Sequence, residues 1–269
     1  MITLILDYVT PIITHIINQS LLSGDFPSLW RKAFVMPLPK IKNPSTFSHF
    51  RPISILPFLS KVLEAIVHKQ ISSYIFKNNF LSTYQSGFRP GHSTTTALLK
   101  VTEDLRTGKE NSKLTVLILI DFSNAFNAVD HDILLTILYH LGFSSSARGW
   151  FSSYLRGRQQ VIRVGQIISD WCPLSAGVPQ GGILSPLLFS VFINLITPHI
   201  RRSYHLYADD LQIYAQAEVA FIDDVIEKLN CDLNCISNWS NRFGIRVNPS
   251  KCQAIVVGSS RRLTKIDMK

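Results

Sequence analysis

Residues Leu114–Asp121 read LTVLILID, and this stretch decides the fold. Six aliphatic residues and one threonine run without a break, which is too short for a buried helix and predicts a central strand covered on both faces. A carboxylate at the end of such a strand faces either burial or a ligand, so Asp121 is a functional candidate. Further along, His205–Tyr214 (HLYADDLQIY) alternates around a polar centre and predicts a hairpin with its turn at Asp209 and Asp210. If the two strands pair, three carboxylates converge at one sheet edge, and like charges meet cheaply only with cations between them. Oxygen-only donors suit Mg²⁺, which keeps waters and shares substrate phosphates. Two such ions about 4 Å apart would clamp the attacking and leaving oxygens of a phosphoryl transfer. An adjacent acidic pair is a weak signal alone: the chain also holds Glu103–Asp104 and Asp223–Asp224, the latter in the first turn of a predicted helix, where acids complement the dipole.

The region between the two acidic sites strengthens the reading. Ser175–Phe189 (SAGVPQGGILSPLLF) carries Gly177, Gly181 and Gly182, which permit close backbone approach, and Gln180, which offers an amide. Ser185–Pro186 is a good N-cap and first-turn pair for a helix running to about Ile200. Other helices are predicted over 2–22, over Ser60–Ile75, after Thr95 (burying Ala97, Leu98, Val101 and Leu105), from Asp130 to Gly142, over Ser146–Leu155, and along Phe221–Trp239 before Gly244. Extended segments fall at Ala33–Leu38, at Val161–Val164 with the segment after Gly165, and at Cys252–Val257. Few strands and many helices, in no regular βαβ order, give the class α+β, with neither linker nor repeat.

Composition sets the partner class. The 269 residues are 46% hydrophobic and 10% aromatic, which excludes a disordered chain. A net charge of +9 favours a polyanion such as nucleic acid. The charge is uneven: residues 1–113 hold 13 basic and 6 acidic residues, and 114–269 hold 14 and 12. The four cysteines form no CxxC pair; Cys231 and Cys235 have helical spacing that could hold half a metal site, but small core residues in a reduced compartment are the expectation. The apolar N-terminus lacks a basic n-region and a cleavage site, and the uncharged stretch Trp171–Ile200 is broken by Pro173, Pro179 and Pro186, so a soluble intracellular protein without a membrane span is expected.

Seven strings then occur in one order: FPSLWRKAFVMPLPK from Phe26, FRPISILPFLSKVLEAIV from Phe50, QSGFRPGHSTTTALL from Gln85, LILIDFSNAFNAVDH from Leu117, GVPQGGILSPLLFSVFIN from Gly177, YADD from Tyr207 and GIRVNPSKC from Gly244. With them the chain resembles, over nearly all its length, the reverse transcriptase domain of non-LTR (LINE-type) retrotransposons of the jockey and CR1-like groups. The resemblance implies a right-hand polymerase, with an N-terminal extension and fingers over 1–113, and a palm with fingers–palm crossover elements over 114–269. It implies an RNA-directed DNA polymerase acting on an RNA template, a DNA primer or nicked target DNA, and dNTPs, in nucleus and cytoplasm.

By the same resemblance Asp121, Asp209 and Asp210 would bind two Mg²⁺ ions (Mn²⁺ as a substitute), with the Phe122 carbonyl also facing a metal. Phe126 would be a steric gate under the sugar. Gln180 would contact the incoming nucleotide or the template and Gly181 would meet the nucleotide, Arg51 would pack on it, and Lys40, with Lys42 an equal candidate, would reach its phosphates. Lys251 would protonate the leaving pyrophosphate, and Arg89, Arg156, Arg158 and Arg163 would contact template and primer backbones. Asn127 and Gly182 stand where the family often has Asp and Ser. An endonuclease before residue 1 and a thumb after Lys269 are expected of a longer parent protein. The alternative is an inactive, element-derived RNA-binding fragment.

Overall fold

The computed structural model describes residues 6–264, so the first residues of the helix predicted over 2–22 lie outside the described residues. Two compact units are each assembled from two separated pieces of chain: unit 1 from residues 1–78 and 129–188, unit 2 from 79–128 and 189–269. The boundary expected at 113/114 falls inside unit 2. Strand pairing between distant segments, which composition cannot reveal, draws the division elsewhere.

Unit 1 contains helix α1 (Leu6–Ser23), strands β1 (Lys32–Pro39) and β2 (Phe50–Ile55), and helix α2 (Phe58–Lys77). Its second piece supplies α4 (His131–His140), α5 (Ser145–Leu155), β4 (Arg158–Val164), β5 (Ile167–Ile168) and β6 (Cys172–Leu174). Local rules explain most ends: the Asp130 carboxylate accepts from the Ile133 amide at the start of α4, and the Ser144 hydroxyl accepts from the Ala147 amide at the start of α5. The sheet runs β2-β1-β4-β5 with β6 also on β4, and β1 and β4 are parallel, Phe34 opposite Val161. Beside it, Phe26 packs edge-on against Trp150 and Tyr154 at 5.6 and 5.1 Å.

Unit 2 contains α3 (Thr94–Glu110), β3 (Leu114–Ile120), β7 (Ser203–Tyr207), β8 (Asp210–Ala217), α7 (Ile222–Phe243), β9 (Gln253–Val257) and α8 (Ser260–Leu263). The strands form one antiparallel sheet ordered β7-β8-β3-β9, with the predicted β3 as an inner strand. Helix α7 covers it with Val225, Leu229, Ile236 and Trp239, and α3 buries Ala97 and Val101, the latter against Leu117 and Tyr214. Helix α6 (Ser185–Ile193) leads from one unit to the other and tightens into a 3₁₀ turn over Asn194–His199, short of the single helix expected to Ile200. Pro198 lies within that turn.

Three burial expectations need correcting. Leu98 is 66% exposed because it sits at the edge of the apolar stripe of α3, and Phe221 is 62% exposed because it precedes α7, at the end of a 3₁₀ turn. Cys231 and Cys235 are exposed on α7, away from the core, because the buried face follows Leu229, Asp232 and Ile236. Among the described residues no helix is long and apolar enough to cross a membrane.

Candidate active site

The acidic site is built within unit 2. Strand β3 delivers Asp121 at its end, and backbone pairing continues past it: the Asn248 amide donates to the Asp121 carbonyl at 2.8 Å, and the Ser123 amide to the Arg246 carbonyl at 2.8 Å. That pairing brings two side chains onto one carboxylate oxygen. The Asn248 amide nitrogen donates to Asp121 Oδ2 at 3.2 Å, and Lys251 Nζ lies 3.3 Å from the same atom.

Opposite Asp121 stands another acid. The β3–β8 register ends with Ile120 facing Leu211, so one further step sets Asp121 across from Asp210. Like charges directly across a sheet are destabilising. Burial, and then the Asp121 charge, push the Asp210 carboxyl above its ordinary value, while Lys251 opposes the shift. The hairpin differs from expectation by one place: its last pair is Tyr207–Asp210, so the turn is Ala208–Asp209 and Asp210 opens β8. The side-chain alternation is kept, which is why the sequence pattern could not locate the turn.

That turn is held in an unusual conformation. Ala208 has φ +54°, a left-handed geometry that costs a residue with a Cβ, and such strain persists only where the surroundings impose it. They do so here. The Ser86 amide donates to the Leu206 carbonyl and the Leu206 amide to the Tyr84 carbonyl, both at 2.9 Å. Gly87 then lies so close that a Cβ on it would stand 2.1 Å from the Ala208 nitrogen. Asn248 and Gly87 are thus site residues that the sequence reading did not single out; each sat inside a recognised string, with nothing to mark its contact.

The donor set fits a hard divalent ion, since Asp121 and Asp210 offer carboxylate oxygens. Among the described residues, no three His, Cys, Asp or Glu side chains form a ready metal cage. Mg²⁺ does not require one, because one or two carboxylates with substrate phosphates and water are its usual partners.

The other candidates divide between the units. In unit 2, the Phe122 side chain is buried against Trp239. Phe126 is half-buried, stacked on Phe189 at 4.2 Å with Phe88 edge-on at 6.0 Å. Arg89 donates to the Ser82 and Gln85 carbonyls at 3.0 and 3.4 Å, tying its own loop. In unit 1, Lys40 is exposed and donates to the Ser48 carbonyl, and Arg51 projects from β2. Three residues along that strand, the Ser54 amide donates to the Gln180 carbonyl at 2.7 Å. A Cβ on Gly181 would stand 2.3 Å from the Ser54 oxygen, so only glycine lets this turn approach β2.

Of the arginines expected on a nucleic-acid backbone, Arg163 is exposed, and Arg156 is exposed and paired with Asp132. Arg158 is corrected: it is 2% exposed, donates to the Tyr154 carbonyl at 2.8 Å and lies over the Tyr154 and Phe26 rings. Its guanidinium is a core group and does not reach a polyanion outside.

Comparison with known proteins now bears on this geometry. The family model for reverse transcriptase (RNA-dependent DNA polymerase) matches residues 40–265. The chain is 30% identical over 238 residues to a probable RNA-directed DNA polymerase from transposon BS of Drosophila melanogaster, covering 84% of this chain and 26% of that protein. It is 28% identical over 260 residues to the RNA-directed DNA polymerase from mobile element jockey of the same organism, covering 93% and 28%. The chain therefore spans about a quarter of the length of these relatives. Among solved structures, apo telomerase from Candida tropicalis truncated from its C-terminal domain superposes with a TM-score of 0.60 at 12% identity, over 84% of this chain and 50% of that one, a likeness of fold alone. The likeness agrees with an α+β polymerase fold of fingers and palm, and the relatives bear out the resemblance to non-LTR elements. The chain belongs to the reverse transcriptase family.

Proposed function

We propose that this chain is the polymerase core of a non-LTR retrotransposon protein, joining dNTPs to a primer 3′-hydroxyl on an RNA template, with DNA primer or nicked target DNA as the second strand. One observation carries the reading: two carboxylates in register on neighbouring strands, Asp121 and Asp210, with Lys251 beside the first. A pair so costly to assemble is explained by the cations it would receive.

In this reading Asp121, Asp209 and Asp210 would hold two Mg²⁺ ions, with the Phe122 carbonyl and with Mn²⁺ as a substitute. When bound, these ions supply Lewis acidity toward the primer hydroxyl and the triphosphate. The chain's own residues do the rest. Asn248 fixes the Asp121 carboxylate. Lys251 stands ready as a proton donor to the leaving pyrophosphate. Phe126 limits room at the sugar, and Arg51, Lys40, Gln180 and Gly181 hold the nucleotide. Arg89, Arg156 and Arg163 meet strand phosphates without regard to sequence. Action on chromosomal target DNA places the protein in the nucleus after its synthesis in the cytoplasm.

The test is primer extension on an RNA template with dNTPs and Mg²⁺, wild type against Asp209→Asn. Mg²⁺-dependent synthesis that the substitution abolishes is the expected result. Salt-sensitive RNA binding without extension in either protein would overturn the proposal in favour of an inactive RNA-binding fragment.

A further inference from the structure

Unit 1 contains a fully buried carboxylate to which no role has been assigned. Glu64, on α2, has 0% exposure. Both of its carboxylate oxygens, Oε1 and Oε2, are engaged. Oε1 accepts from the Ser60 hydroxyl at 2.9 Å. Oε2 accepts from the Ile183 amide at 2.7 Å, the Leu184 amide at 3.2 Å and the Tyr154 hydroxyl at 3.3 Å. Burial, and then the Glu64 charge, raise the Tyr154 phenol far above its ordinary value, which keeps it a donor.

The position of those two amides matters. They immediately precede Ser185, the first residue of α6, where a helix leaves amide donors unpaired and presents the positive end of its dipole. Glu64 thus accepts the amides at the start of α6 from about 120 residues away in sequence. The amides also immediately follow the turn that carries Gln180 and Gly181, closed by the Gly182 amide donating to the Pro179 carbonyl at 3.0 Å. Ser54 of β2, the strand bearing Arg51, fixes the same turn through the Gln180 carbonyl. The turn is held at its base by a buried anion and at its crest by a strand. There is no space to spare: a Cβ on Gly182 would stand 3.0 Å from Glu64 Oε2.

We propose that Glu64 is a positioning residue for nucleotide binding: by capping the Ile183 and Leu184 amides it sets the pose of the Gln180–Gly181 turn, and so governs affinity for the incoming dNTP. The inference rests on the polymerase reading above, with Gln180 and Gly181 facing the nucleotide. A merely structural Glu64 would affect stability and leave affinity alone.

The experiment compares wild type, Glu64→Gln and Glu64→Ala by steady-state primer extension, with dNTP and template–primer varied separately, and by amide hydrogen exchange at Ile183 and Leu184. Glutamine keeps one acceptor oxygen and loses the charge, so the KM for dNTP should rise roughly three- to tenfold, with kcat and template–primer KM little changed. Alanine should raise it further and speed exchange at both amides. If Glu64→Ala does not fold, Glu64→Gln alone decides. An unchanged dNTP KM in folded Glu64→Gln would overturn the proposal, as would unchanged exchange at both amides in folded Glu64→Ala. If the wild type itself does not extend primers, the polymerase reading fails and the nucleotide-positioning role with it. The exchange data then still show whether Glu64 caps the turn, so the two failures are told apart.

Discussion

Two side chains converge on a single oxygen, Asp121 Oδ2: the Asn248 amide at 3.2 Å and the Lys251 ammonium at 3.3 Å. Asn248 orients the carboxylate without contributing charge, as outer partners of metal ligands commonly do. Asn248→Ala should therefore weaken Mg²⁺ activation by about tenfold while leaving extension at saturating Mg²⁺ nearer to wild type, as a metal titration of primer extension would measure. In the proposed reading Phe126 has the opposite task, acting by excluding a group. Its ring is stacked on Phe189, which fixes where it stands. Phe126→Ala should relax discrimination against ribonucleotides by roughly 10- to 100-fold, and unchanged dNTP/rNTP selectivity would refute the gate. The Asp121 candidate was legible because a carboxylate is conspicuous after seven uncharged strand residues. Asn248 was not, because its significance is a contact with a residue 127 positions away.

At the scale of elements, the sequence rules worked where the forces are local. The run Leu114–Ile120 is β3 to the residue, and Asp130 caps α4 as its chemistry predicts. They failed where distant segments meet. Nothing in Ala33–Val35 announces a parallel partner at Gln160–Ile162, and nothing in Arg158 announces a bed of aromatic rings. The β7–β8 hairpin carries a pH dependence of its own. His205 is 4% exposed, with its Nε2 3.0 Å from the Ser86 hydroxyl, and burial, then the charge of His92, lower its pKa below 6.5. The folded state thus favours neutral imidazole. Its stabilising contribution is complete above 6.5 and is lost as pH falls from there toward the lowered value. Thermal melts should show the melting temperature falling below pH 6.5, and His205→Gln should flatten that part of the profile.

For the molecule as a whole, the charge of +9 sets the strength of an attraction that salt weakens. The arginines divide by burial. Arg163→Ala should reduce the slope of log affinity for single-stranded RNA against log salt by about 0.7, the share of one phosphate contact. Arg158→Ala should leave that slope unchanged and instead cost about 1–3 kcal/mol in denaturant unfolding, because the buried Tyr154 carbonyl loses its donor. An equal effect of both substitutions on the salt slope would contradict the burial of Arg158.

The threading of the chain has a consequence for its birth on the ribosome. Unit 1 needs residues up to 188 and unit 2 is completed by β9 at Gln253–Val257, so neither can close when its first piece emerges. Strand β1 must wait for β4, more than a hundred residues later, with its apolar residues uncovered. Such non-local closure slows folding and exposes the nascent chain to aggregation and to holding chaperones. A copy cut short by a stop codon between residues 79 and 188 would release both units incomplete.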